Sequence, residues 1–565
     1  MRSPSPRIAL LPLLVALLLG ALAAPAQAAT SVSPEQTKWP FPNVPPPKYR
    51  LTEAQALRVA DASSTARTLR ARHPYVRPQV FIKGIHNGVG YWEVDYEGRK
   101  IPLAEIDVNG QTGQIVKAWS GWQAANFQTR GHFAELADSW WVWLPLCVLF
   151  VAPFFDFRRP FRLLHLDLAM LLAFGVSHIL FNQGLVLASV PLVYPVLAYL
   201  LARMLWAGVR PRARRTPLVP HARSRWLAIG IVALVGFRIF VNVGAGHVID
   251  VGYAGVVGAD RIEHKQALYV ANEAHGDTYG PVNYLAYVPF ELAFPWHGEW
   301  DSVPAAHAAA IFFDLLALGA LFMAGVRLRA GPEGKRLGLA LAYGWTAYPY
   351  TMYALATNTN DALVAALLVL AFVALRSPIA RGGWLGLGVA AKFIPLVLGP
   401  LFAVGGGDRR PRAIAPFALA AVAVVGVSLG LYVPRSSWHD FWASTLSYQL
   451  NRVSPFSLWT IYPSLHWLQL LLAAVAALLA GAVAFVPRRR DAVQVAALAA
   501  AVLIAAQLPA GHWFYFYIVW FAPFVLIALF AAHETRGAFP GLDLSALRLE
   551  GPHSPEPERE PALSP

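Results

Sequence analysis

HVIDVGYAGVVGADRIEHKQALYVANEAHGDTYGPVN, residues 247–283, is the stretch on which the reading of this chain turns. It carries Asp250, Asp260, Glu263, Glu273 and Asp277, together with His247, His264, His275, Arg261 and Lys265, and it lies between two apolar blocks. Most of the remaining sequence is compatible with lipid, where ionisable groups are costly. A cluster of carboxylates and imidazoles at the mouth of such a bundle is therefore where chemistry is expected. The competing reading is a solvated loop whose charges only keep it in water.

Composition sets the class. Of 565 residues, 56% are hydrophobic and 14% charged, and the mean hydropathy is +0.46. Several apolar runs reach the ~20 residues needed to cross a ~30 Å hydrocarbon layer. The expected fold is an all-α polytopic membrane protein with a small exported α+β domain. A net charge of +14 would suggest nucleic acid in a soluble chain. Here the bases sit in short clusters between apolar runs, so they read as topology signals and nucleic acid is excluded as a partner. The single cysteine, Cys147, rules out an intrachain disulfide and a thiolate metal cluster.

Residues 1–28 read as a secretory signal peptide, with Arg2 and Arg7, an apolar region from Ile8 to Ala24 and Ala26-Gln27-Ala28 as the cleavage signal. Residues 29–50 are a Pro-rich linker. Residues 51–125 form a small soluble domain. Thr52 and Gln55 open a helix expected to run through Ala56, Val59 and Ala60 towards Leu69. Period-two strands follow at Val80–Ile82, Tyr91–Tyr96 and Ile106–Val108, then a turn at Asn109-Gly110 before Ile115-Val116. Asp95 and Asp107 are read as solvent-face strand residues. The strands W-x-V-x-Y and I-D-V-N-G-Q-T-G-Q-I-V make this segment resemble the PepSY domain, which implies an exported binding or regulatory module with no catalytic set.

Trp140, Trp141 and Trp143 mark an interfacial belt at the start of the membrane part. Spans are expected at about 139–157, 163–181 and 185–207, then 226–244, 304–326, 337–356, 361–376, 413–433, 465–486, 492–509 and 513–532, about eleven crossings in all. Arg210, Arg212, Arg214, Arg215, Arg223 and Arg225 form an acid-free cytoplasmic loop, so the 247–283 stretch falls on the exported side. Two segments are read as partial. Residues 280–295 are short and Pro-rich. Residues 384–404 have basic flanks on both sides, which fits a hairpin of two half-helices entering from the cytoplasm and broken near Lys392 and Pro395. Residues 139–225 are taken as extra membrane helices with their basic loop, and 533–565 as a disordered cytoplasmic tail.

Five patterns now combine: Val248-Ile249-Asp250 after a membrane helix, T-Y-G-P-V-N-Y-L-A-Y-V-P-F at 278–290, N-T-N-D-A at 358–362, G-L-G-V-A-A-K-F-I-P-L-V-L-G-P-L at 386–401 and R-V-S-P-F-S-L-W at 452–459. Together they resemble the GT-C superfamily of multi-spanning glycosyltransferases over roughly 226–532, and in particular the bacterial polyprenol-phosphate-mannose-dependent α-mannosyltransferase-like proteins. The resemblance implies a plasma-membrane hexosyltransferase that moves a sugar, mannose by analogy, from a polyprenyl-phosphate donor to the hydroxyl of a glycan or glycolipid on the exported face, with inversion.

The resemblance also places residues. It maps the carboxylate base to Asp250, with Asp260 and Asp277 as alternates and His275 beside Asp277 as an acceptor-binding candidate. The leaving phosphate needs cations or donors; Lys392, Arg452 and His512 are the candidates, with Tyr279, Asn360 and Asp361 completing the set. Asn358, Asn360 and Asp361 are also read as caps of the helix that begins there. An intramembrane Lys392 costs about 2.5–3.5 kcal/mol unless partnered, and a hairpin turning at mid-membrane would leave it too deep for a headgroup. Trp513, Tyr515 and Tyr517 are read as belt aromatics, and Arg238 has no partner that the sequence can name. No cofactor is required and no metal is assigned; a divalent ion at His275 and Asp277 is weighed and not adopted. Two other classes stay open: a transporter or flippase of lipid-linked sugars, because broken apolar segments also mark transporters, and a membrane sensor or scaffold using the PepSY-like domain.

Overall fold

The computed structural model describes residues 39, 41–86, 89–97, 102–120, 135–182, 186–210, 214–269, 278–297, 303–405, 407, 410–447 and 456–535. The expected signal peptide, half of the linker and the tail beyond 535 lie outside these residues.

Thr52 and Gln55 form the expected capping box at the start of α1 (Glu53–Asp61). The helix does not continue to Leu69. It stops at Ala62, and Ser63 caps a second helix, α2 (Ser64–Arg72), because a serine beside a free N–H competes with helix continuation. Four strands follow as an antiparallel meander: β1 (Arg77–His86), β2 (Val89–Glu97), β3 (Pro102–Asn109) and β4 (Ile115–Ser120). Asn109 Oδ1 accepts the N–H groups of Gln111 and Thr112 and so builds the turn into β4. Trp92, Val94, Tyr96, Ile106 and Val108 form the core with Ala56, Ala60 and Leu69 from the helices. The other face departs from expectation. Asp95 and Asp107 are buried, as are Glu93 and Glu105, and the register sets Glu93 opposite Asp107 and Asp95 opposite Glu105. Alternation showed which residues share a face, but the packing decides which face is wet.

The membrane part is helical apart from one short strand pair at its basic end. In order it contains α3 (Trp140–Val151), α4 (Leu163–Leu172), α5 (Phe174–Asn182), α6 (Val186–Val209), α7 (Ser224–Ala245), α8 (Asp250–Glu263), α9 (Pro281–Leu285), α10 (Val288–Ala293), α11 (Pro304–Leu328), α12 (Gly331–Ala347), α13 (Pro349–Ala356), α14 (Asp361–Val373), α15 (Pro378–Ala391), α16 (Gly399–Ala403), α17 (Pro411–Tyr432), α18 (Trp438–Trp442), α19 (Leu458–Ile461), α20 (His466–Ala482), α21 (Ala492–Gln507) and α22 (Ile518–Phe530). Among the described residues, 6 helical stretches are long and apolar enough to cross a membrane, and shorter apolar helices occupy other expected spans. This is a multi-pass membrane protein. The 337–356 span is broken at Tyr348-Pro349, where proline removes a donor from the ladder.

Both partial segments are present. Residues 281–293 are two short helices that lie against α8 and do not cross. The 384–404 block is a hairpin: α15 rises, Lys392 ends it, and a 3₁₀ turn at Ile394–Leu398 leads into α16. Arg381 in the first limb donates to Ala403 O at the end of the second, so both limbs start and finish at one end of the bundle.

The N-terminal membrane helices are not an appendage. Leu171, Phe174, Leu200 and Met204 share one core with Ala317, Val369 and Phe521. Tyr348 Oη donates to Leu171 O (2.8 Å) and Gln494 Nε2 to Gly208 O (2.8 Å). At the basic end, β5 (Arg214–Pro217) pairs in parallel with β6 (His533–Glu534), and Arg329 donates to Ala531 O and His533 O. Trp140 and Trp141 are exposed as belt residues should be, whereas Trp143 packs edge-on against His178 and Tyr350. Trp513 and Tyr515 are not belt residues either. Both are buried: Trp513 Nε1 donates to Gln507, and the Tyr515 hydroxyl bonds Ser177 and Ser189.

Candidate functional site

The site is built on the turn between α13 and α14, at the end of the bundle opposite the basic connections. Asn358 takes a left-handed conformation (φ 55°), which asparagine tolerates better than most residues. Its side chain then faces back: Nδ2 donates to His247 O (3.0 Å), and Oδ1 accepts from Asn242 Nδ2 (2.7 Å). Ala356 O accepts His247 N–H (2.9 Å) and Thr357 O accepts Ile249 N–H (3.3 Å). Gly252 packs so closely that a Cβ there would lie 2.4 Å from Asn358 O. The segment 246–252 is thereby laid across the turn. Asp250, half-buried, is the first residue of α8, where unpaired N–H groups and the helix dipole favour a carboxylate.

The next two residues of the motif face the other way. Asn360 Nδ2 donates to Asn283 Oδ1 of α9 (2.7 Å). Asp361 Oδ1 accepts from Lys392 Nζ (2.5 Å) and from Trp520 Nε1 (2.9 Å). Lys392 Nζ also lies over the rings of Tyr279 (5.1 Å) and Trp520 (5.4 Å), within cation–π range. None of Asn358, Asn360 and Asp361 caps α14: Asn360 holds the N-cap position without a capping bond, and its side chain is drawn into a tertiary contact instead.

Lys392 sits at the tip of its hairpin, beside Asp361. It is level with the first residue of α14, and Gly280 N–H donates to Ala391 O (3.1 Å), which ties the hairpin tip to the Tyr279 loop. Here only glycine fits, since a Cβ on Gly280 would sit 2.1 Å from Ala390 O. The loop is braced by Tyr269 Oη donating to Tyr279 O (3.0 Å) and by Tyr279 N–H donating to Tyr284 Oη (3.1 Å).

The other expected residues fall as follows. Asp260 is not brought to Asp250. Ten residues of helix separate them, roughly 15 Å at 1.5 Å per residue, and Asp260 pairs with His264 (3.1 Å), whose pKa is raised first by its hydrogen bond to Asp260 O and then by the Asp260 charge. His512 lies 6.0 Å from the Tyr517 ring, which stacks on Trp520 at 4.2 Å, so it ends a row leading to Lys392. His275, Asp277 and Arg452 lie outside the described residues. Four residues were missed from the sequence: Asn242, Asn283, Trp520 and His307, whose Nδ1 lies 3.1 Å from Asn242 Oδ1. Asn242 in an apolar span was the available signal. Arg238 does have a partner: Asp314 Oδ1, 2.5 Å away on α11.

Further along α8, the Glu263 carboxyl is pushed up to about 7, by burial first and then by its contact with Glu291. As for metal donors, Glu93, Glu105 and Asp107 of the sheet bring carboxylate oxygens within 4.8 Å of one another, apart from this site.

Comparison with known proteins adds the following. No curated protein matches the chain. Among solved structures the chain is similar to the crystal structure of ArnT from Cupriavidus metallidurans bound to undecaprenyl phosphate, at 19% identity and a TM-score of 0.39 over 55% of this chain. The chain spans 60% of the length of that structure. Residues 278–510, which include Tyr279, the 358–361 turn and Lys392 but begin after Asp250, match the model of glycosyltransferase family 87.

Proposed function

We propose that the chain is a GT-C membrane glycosyltransferase that moves a hexose, mannose in our reading, from a polyprenyl-phosphate-sugar to an acceptor hydroxyl on the exported face. One observation carries it: a single turn, 356–361, braces the Asp250 segment on one side and the Asp361–Lys392 pair with Tyr279 on the other. The family 87 match supports the class. The charge distribution supports the sidedness, since the Arg-rich connections gather at the opposite end.

In this reading Asp250 takes the proton of the acceptor hydroxyl as its oxygen attacks the anomeric carbon from the face opposite the leaving group, so the configuration inverts. The bond to the lipid phosphate oxygen breaks, and the phosphate keeps the electron pair. Its growing charge is met by Lys392, whose ammonium has protons beyond the one given to Asp361, with His512 and Arg452 as further donors. Asp361 orients Lys392 and offsets its cost of burial. The four-stranded domain serves as a PepSY-like exported module.

The test is glycosyl transfer in membranes containing the full chain, with a panel of polyprenyl-phosphate sugars. Transfer by wild type that is lost in Asp250→Asn at equal expression supports the reading. Transfer retained in Asp250→Asn removes Asp250 as base, and translocation of the lipid-sugar without transfer replaces the enzyme with a transporter.

A further inference from the structure

Near the end of α7, Asn242 is a fully buried carboxamide in an apolar span, and its partners all come from other segments. Its Nδ2 donates to Leu355 O (2.7 Å) at the end of α13 and to Asn358 Oδ1 (2.7 Å) in the turn. Asn358 Nδ2 donates in its turn to His247 O (3.0 Å). A backbone carbonyl accepts and never donates, so Leu355 O and His247 O fix which way round the two amides lie. Asn242 has therefore given both of its N–H groups away, and its Oδ1 is left as an acceptor.

His307 stands 3.1 Å from that oxygen through Nδ1. The bond requires Nδ1 to carry the proton. A neutral imidazole has one N–H, so Nε2 is a bare lone pair. The ring belongs to the first turn of α11 and is half-buried. Its Nδ1 edge is turned to the buried amide, so the accessible edge is the opposite one, which carries Nε2. Among the described residues Nε2 has no hydrogen-bond partner. The directed bonds from His307 through Asn242 and Asn358 end on His247 O, in the segment that delivers Asp250, and α8 packs on α11. Lys392 and Asp361 belong to the other side of the turn.

We propose that His307 is a residue of the acceptor site, and that its Nε2 accepts a hydrogen bond from a hydroxyl of the incoming acceptor. This deepens the proposed function and rests on it. The reacting hydroxyl has one proton, and in that function the proton goes to Asp250. His307 therefore holds a second hydroxyl of the same molecule. The acceptor class is a polyol, such as a glycan or the sugar of a glycolipid, and not the lone hydroxyl of a serine side chain or a long-chain alcohol.

The experiment separates the two edges of the ring with two variants of the full chain. In His307→Asn the amide N–H takes the place of Nδ1, which keeps the bond to Asn242 and deletes the outer edge. In His307→Gln the longer side chain brings a carbonyl to the place of Nε2 and gives up the bond to Asn242. Transfer from the panel of polyprenyl-phosphate sugars to endogenous acceptors is measured in membranes, beside the unfolding temperature of each purified protein. The expected result is that His307→Asn unfolds with wild type and transfers about tenfold less, the size of one lost hydrogen bond. His307→Gln unfolds earlier and still transfers more than His307→Asn. Wild-type transfer by His307→Asn overturns the proposal and leaves His307 as a brace for Asn242. A second measurement needs no turnover: nitrogen NMR of the histidine-labelled full chain, with His307 assigned by difference from whichever variant folds. The unprotonated nitrogen of His307 is expected to be Nε2, and a protonated Nε2 overturns the proposal. Absence of transfer by wild type removes the proposed function and the acceptor with it, while the spectrum still decides the tautomer, so the two failures are told apart.

Discussion

Two of the ion pairs inside the bundle, Arg238–Asp314 and Lys392–Asp361, are built differently. Arg238 is fully buried, and both terminal nitrogens of its guanidinium are held by fixed partners: Asp314 at 2.5 Å, Thr346 O, Thr351 Oγ1 and Thr351 O, with Trp345 Nε1 donating to the same carboxylate; only Nε has no partner among the described residues. These contacts lock α7, α11, α12 and α13 together inside the apolar core. Lys392 has one carboxylate partner and two aromatic faces, and its side chain is 11% exposed, at the tip of a hairpin. The planar fork of arginine suits a permanent clamp. The lysine ammonium keeps donors to spare and suits a place where another anion arrives. The difference teaches that a buried charge gains a functional reading from what is left unspent around it, and not from burial alone.

Breaking the clamp should have the largest effect on folding. Asp314→Ala leaves Arg238 buried and uncompensated, at a cost of about 3–5 kcal/mol; folded yield and denaturant midpoint should fall steeply, and an unaffected midpoint would remove the clamp from the account. Lys392→Ala strands a carboxylate that is nearer the surface and still has Trp520, so a smaller loss of about 1–3 kcal/mol is expected, together with loss of transfer. The double variant Lys392→Met, Asp361→Asn sharpens the contrast. Removing both charges should return stability to within about 1 kcal/mol of wild type while transfer stays absent; recovery of both would make this pair structural, like the other. Smallest is Tyr279→Leu, which deletes one aromatic face over Lys392 and should cost about 0.5–2 kcal/mol, with weaker donor use as the readout.

Both pairs were only half visible beforehand. Lys392 and Arg238 stood out because a charge in an apolar run demands a partner. The partners, 31 and 76 residues away in sequence, could not be named. Asp361 was noticed for its place at a helix start and read as a cap, the local bond that sequence makes most obvious. In the fold, Asn360 and Asp361 bond across helices instead. The belt reading of Trp513 and Tyr515 failed for the same reason, since aromatic residues at a span's end look alike whether they face lipid or the helices Phe174–Asn182 and Val186–Val209.

What the sequence determined by itself was the class, the spans, the two partial segments and the hairpin at Lys392, because hydropathy over about 20 residues, proline positions and the placement of arginines act locally. It also picked out Asp250, Tyr279, Asn360, Asp361 and Lys392 among ten candidates that included Asp260, His275, Asp277, Arg452 and His512, though not their arrangement. The tertiary structure decided which of them meet. It separated Asp260 from Asp250 by the length of a helix, raised Lys392 to the level of Asp361, and buried the carboxylate face of the small sheet. The meeting of Lys392 with Asp361 depends on packing between segments 31 residues apart, and no local period encodes that.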